Sequence, residues 1–142
     1  MQRWWWWRDP LFLIAVGAAL VFWLGLAMTG SPVSALGWPV QEPQRLLLLA
    51  LVYQVLEEIV FRGALQPALT SRVARWAWPG PVSLANVLSS LGFAALHLFH
   101  HSPEWAAAVF VPSLVFGFFR DRHRSVASPI VLHVFYNTGY FW

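Results

Sequence analysis

Leu11 to Met28 is a run of eighteen apolar or small residues without a single charge. A run of that length and purity is long enough to cross a bilayer as one helix, and it constrains the chain more than any other feature. A secretory signal peptide shares the basic start that Arg3 and Arg8 supply, but its apolar stretch is shorter, so the segment reads as an uncleaved first span. Trp4 to Trp7, between the two Arg residues, read as an interfacial anchor, because the indole ring is apolar while its N–H needs a partner. The rest of the chain agrees. Only 11% of the residues are charged and 58% are hydrophobic, against about 25% charged in a soluble domain. There are nine Arg, no Lys and no Cys, which excludes a disordered chain, a disulfide scaffold and a basic nucleic-acid-binding domain. The net charge of +3 points to anionic lipid headgroups as the partner of the Arg residues.

Four more apolar segments follow. Breakers at Gly30, Pro32, Gly37, Pro39 and Pro43 make residues 29–44 a loop. A second span is expected at 45–69, a loop at 72–81, a third span at 82–100 and a fourth at 104–119 with Pro112 inside. A short basic loop at 120–124 and a fifth span at 125–141 complete the pattern. Seven of the nine Arg fall on one set of alternating ends, Arg45 falls on the other, and Arg62 lies inside a span. The positive-inside rule then places the N-terminus in the cytoplasm. The expected fold is all-α, a polytopic transmembrane helical bundle of about five spans.

Three charges interrupt the second span: Glu57, Glu58 and Arg62. Left unpaired at the centre of a span, they would cost roughly 7–10 kcal/mol, so something must offset that cost. Glu58 and Arg62 are four residues apart and share a helical face, where they can pair. Glu57 is turned about 100° away and has Phe61 at i+4, so it is the carboxylate free of Arg62. His97 on the third span and His133 with Asn137 on the fifth add polar groups at similar depth. At 1.5 Å per residue, Glu57, His97 and His133 each lie about 12–20 Å from a span end, so they can converge. Intramembrane groups of this kind mark function by default. No Cys is present and no Ser stands beside a visible base, whereas a buried carboxylate without a cationic partner, as Glu57 is expected to be, can serve as a general base or acid.

Glu57-Glu58-Ile59-Val60-Phe61-Arg62-Gly63, Phe93-Ala94-Ala95-Leu96-His97 and His133-Val134-Phe135-Tyr136-Asn137, in that order on separate segments, resemble the three motifs of the CAAX-protease and bacteriocin-processing family. The resemblance covers residues 46–140. It implies a glutamate-dependent intramembrane endopeptidase without a metal or other cofactor. It further implies that Glu57 and His97 activate water, that His133 and Asn137 form an oxyanion hole, and that Glu58 and Arg62 orient the site. On that reading residues 1–45 are an anchor, first span and loop, and residues 46–142 the catalytic core. The protein would be a multi-pass inner-membrane enzyme whose partners are the bilayer and a membrane-associated protein or peptide substrate. The chain is short for a CAAX prenyl protease, whose additional spans help shape the substrate cavity. Two other readings stand beside it. His97-Leu98-Phe99-His100-His101 fits one histidine box of a membrane di-iron enzyme, but such sites need about eight His and this chain has five; a single zinc on His97, His101 and Glu57 has the right ligand types. A non-catalytic proton or ion path, or an immunity or scaffold role, is the other.

Overall fold

The computed structural model describes residues 5–28, 42–73 and 80–140; of α1 beyond Gly25 only Met28 has a described side chain. Most of the loops expected at 29–44 and 72–81, together with Trp4, lie outside the described residues. Everything described is helical or in turns, with no strand among the described residues. After a short 3-10 turn at Trp6–Arg8, α1 spans Pro10–Met28. Helix α2 runs without a break over residues 43–73, alternating α-turns with two π-helical stretches, Leu46–Val52 and Ile59–Leu65. Helices α3, α4 and α5 occupy Leu84–His97, Pro103–His123 and Ala127–Tyr140.

The helix ends follow from local chemistry. Ser83 and Ser102 cap α3 and α4 by accepting the backbone N–H groups of Asn86 and Trp105. Pro103 begins α4, where its missing N–H costs nothing, and Glu104 suits the positive end of the helix dipole. The loop expected over the basic stretch is corrected by the fold: Arg120, Asp121, Arg122 and His123 complete the last turn of α4. Cations suit a helix C-terminus, so the end of the apolar run did not mark the end of the helix. Arg124, with φ +53°, makes the turn out of it.

The second π-helical stretch has a sequence cause in Pro67. A proline inside an α-helix removes one N–H and crowds the carbonyl four residues earlier. The chain responds by bonding in π register, the Gln66 N–H reaching back to the Phe61 carbonyl. In that register Arg62 would receive the N–H of residue 67, which proline lacks. Its carbonyl instead accepts Arg120 Nε at 2.8 Å, while Ser89 donates to the Phe61 carbonyl at 3.2 Å.

Helices α3 and α4 pack closely, and buried small residues contribute on both: Ser90 on one, Ser113 and Gly117 on the other. At Gly117 the approach is so close that a Cβ would lie 1.9 Å from Asn86 Oδ1. Asn86 is fully buried, donates to the Leu114 carbonyl at 2.9 Å and accepts from Ser90. Helix α1 joins the same core through Phe12, which meets Phe119 edge-on, and through Ala15, whose carbonyl accepts Tyr136 Oη at 2.9 Å.

Among the described residues no helix is long and apolar enough to cross a membrane. Helices α3 and α5 have fourteen residues each, about 21 Å at 1.5 Å per residue, and α4 carries four charges.

Candidate active site

The site is built on α2, where Glu57 and Glu58 end an α-turn and Arg62 lies in the following π-helical stretch. The i,i+4 pair expected from the sequence is present: Arg62 Nη1 lies 3.3 Å from Glu58 Oε1, and both side chains are fully buried. What the sequence did not show is that the same Glu58 oxygen also meets His133 Nδ1 at 2.8 Å. Glu58 is therefore held from its own helix and from α5. Glu57 is about one-third exposed, with Oε2 at 3.8 Å from His133 Nε2. His133 stands between the two carboxylates, one closed off and one open.

The position of Arg62 is set chiefly by α4. Its Nη2 donates to both the carbonyl and the hydroxyl of Ser113, at 2.8 and 2.5 Å. Its guanidinium carbon lies 4.9 Å from the Phe93 ring centre and 5.8 Å from those of Phe61 and Phe116. Three aromatic faces thus surround a buried cation. One turn further on, Gln66 donates to the Gly117 carbonyl and to Asp121. Phe116 also stacks on the His133 ring at 4.7 Å, fixing its plane.

His97 flanks this cluster. Its ring lies 4.6 Å from Phe93, and Phe93 in turn meets His133 edge-on at 5.8 Å. His97 Nδ1 lies 2.9 Å from the Phe93 carbonyl. A carbonyl only accepts, so Nδ1 carries the proton and, in the neutral ring, Nε2 keeps its lone pair. His97 also stacks on His101 at 5.8 Å, which continues to Trp105. His97 makes no hydrogen bond with Glu57. Asn137, one turn beyond His133 on α5, makes no side-chain hydrogen bond among the described residues. The structure thus brings Glu57, Glu58, Arg62 and His133 together directly, and His97 through Phe93. Among the described residues, no three His, Cys, Asp or Glu side chains form a group that could hold a metal ion.

Ser113, Phe93, Phe116 and Arg120 escaped the sequence reading as site residues. Phe93 was visible only as the first letter of a motif, and Ser113 and Arg120 carry no local signal at all. Their relation to Arg62 exists only across helices.

One carboxylate locked by an arginine, a second left open and a histidine between them are the residue types that general acid–base chemistry uses. Residues 39–139 match the family described as Type II CAAX prenyl endopeptidase Rce1-like, and the chain belongs to that family of CAAX-type membrane proteases. No curated protein and no solved structure matches the chain significantly.

Proposed function

We propose that this protein is an intramembrane endopeptidase that cleaves a peptide bond of a membrane-associated protein or peptide through an activated water. The observation that carries the reading is the unequal setting of the two carboxylates. Glu58 is fully buried between Arg62 and His133, whereas Glu57 is partly open and next to His133 Nε2. Glu57 is the group free to take a proton from water, with Nε2 of His97, whose ring packs on Phe93, as a second base. Held by Glu58 through Nδ1, His133 has an Nε2–H to offer an oxyanion when its ring is in the imidazolium form, and the amide of Asn137 is a second donor. Glu58 and Arg62 position His133 and do not touch the reacting atoms.

Embedding in a bilayer is part of the same proposal. Large apolar side chains face outward on every helix: Leu13, Ile14, Val21 and Leu24 on α1; Leu47, Leu48, Leu51, Leu56, Ile59 and Val60 on α2; and Leu91, Leu96, Val111 and Val131 beyond. Soluble domains seldom expose apolar surface on that scale. The helix ends support the expected alternation. Asp9 before α1, Ser83 before α3, and Asp121 and Arg122 at the end of α4 are joined by hydrogen bonds at one end of the bundle. Short helices and a π-distorted one are tolerated in lipid where neighbouring helices satisfy the freed backbone groups, as Arg120 and Ser89 do in this bundle.

The test is cleavage by the purified full chain in nanodiscs, using prenylated CAAX-type peptides beside unmodified transmembrane peptides. Glu57→Gln is expected to lower the rate at least ~100-fold while leaving the fold intact. Full activity in that variant rules out Glu57 as the base. Cleavage is expected to survive chelators, and a loss restored by added Zn²⁺ replaces the water-and-glutamate mechanism with a metal one.

A further inference from the structure

We infer that Arg120 is a positioning residue of this site, acting through the backbone of Arg62; the inference rests on the protease reading for its consequence but not for its geometry. Arg120 lies in the last turn of α4, seven residues after Ser113 and so on the same face two turns further on. Ser113 holds the guanidinium of Arg62 and Arg120 Nε holds its carbonyl at 2.8 Å, so one helix grips both ends of the same residue. Gln66, between the two contacts, is fixed by Gly117 and Asp121 of that face.

The need for Arg120 comes from Pro67. The π-register bond from Gln66 to Phe61 means that the next donor in register is residue 67, and a proline has none. Without Arg120 the Arg62 carbonyl is a buried acceptor with no partner, a state the backbone leaves by shifting register. A return towards α geometry rotates Arg62 and Phe61 relative to Glu57 and Glu58. That rotation pulls Nη1 from Glu58 and leaves His133 Nδ1 without a fixed partner. Arg120 therefore sets the orientation of His133 from two residues away, through Arg62 and then Glu58. An arginine that the charge pattern assigns to membrane orientation alone has a second task inside the bundle.

A double-mutant cycle on the full chain in nanodiscs tests this, with Arg120→Ala, Pro67→Ala, the pair, and Arg120→Lys. Two readouts are needed: kcat and KM for cleavage, and the NMR signals of the His133 ring nitrogens. Arg120→Ala is expected to lower kcat about tenfold with KM within twofold, and to shift the His133 Nδ1 signal. Arg120→Lys, which keeps a donor, is expected to retain most of the rate. Pro67→Ala restores a backbone N–H for the Arg62 carbonyl, so adding it to Arg120→Ala is expected to recover kcat to within threefold and return the ring signal. Unchanged kcat and ring signals in Arg120→Ala, or a loss that Pro67→Ala does not recover, overturn the assignment. If the unaltered protein cleaves nothing, the protease reading fails by itself and the ring signals alone decide the role of Arg120.

Discussion

Two histidines in this bundle each sit against a carboxylate, and their surroundings make them different groups. His133, mid-helix in α5, contacts Glu58 through Nδ1 and faces the partly open Glu57 through Nε2. His123, at the end of α4, has Ser128 Oγ 2.8 Å from Nδ1 and Asp9 Oδ2 2.8 Å from Nε2. By residue type the second cluster looks more like a hydrolase, since serine, histidine and aspartate stand in line. By access it is closed: Ser128 is fully buried, and Arg122 ties Asp9 down from the solvent side. No substrate atom can reach the hydroxyl, so the line of three joins α1, α4 and α5 instead of attacking anything. The difference teaches that a catalytic reading depends on an open group facing a polarised one, and of these two clusters Glu57 beside His133 meets that condition.

The sharpest way to break this contrast is to truncate each histidine. His133→Ala is expected to lower cleavage by ~10²–10⁴-fold, while His123→Ala leaves kcat within about threefold. Equal losses of activity would erase the distinction between the clusters. Next in size is Arg62→Ala, which strands a fully buried Glu58 and is expected to cost about 3–5 kcal/mol in denaturant unfolding. A Glu58→Gln/Arg62→Met pair removes both charges and should recover part of that loss; no recovery would mean that Arg62 acts through Ser113 and the aromatic rings alone.

The end cluster carries a pH signature of its own. The hydrogen bond and charge of Arg122 hold the Asp9 carboxyl down from 3.8 to about 2, with His123 and the Leu11 N–H adding to the effect. A carboxylate whose folded pKa lies below its unfolded value stabilises the fold above that unfolded value, near pH 4, and loses the contribution as pH falls through about 2. Thermal unfolding between pH 5 and pH 2 is therefore expected to show a loss of stability that Asp9→Asn abolishes. An unchanged acid dependence in Asp9→Asn would show that Asp9 and Arg122 do not hold together in solution. The smallest effect is expected from Ser128→Ala, about 1 kcal/mol for one buried hydroxyl, with cleavage unaltered. A large loss of activity there would reopen the serine cluster as chemistry.

Much of the bundle was legible because helical and charge patterns are local. The segments from Pro10 to Met28 and from 82 onward read as helices from their apolar runs, and the Glu58–Arg62 pair followed from a four-residue spacing. The spacing also isolated Glu57, which the structure keeps apart from Arg62. The basic stretch at 120–124 was misread because charge marks the end of an apolar surface, not of a hydrogen-bonded helix. The π-helical turn had a visible cause in Pro67, but its consequence depends on which side chain reaches the freed carbonyl, and that side chain lies 58 residues away.

The sequence by itself determined which residues carry the polar chemistry and which of them pair along one helix, since those relations repeat every turn and need no knowledge of neighbours. The tertiary structure decided what each group does. Glu58 meets His133 across 75 residues and Asp9 meets His123 across 114. Such contacts follow from how helices pack, where small residues such as Gly117 permit close approach. Packing left Glu57 open and closed Ser128, because access is a property of the assembled bundle and not of any segment within it.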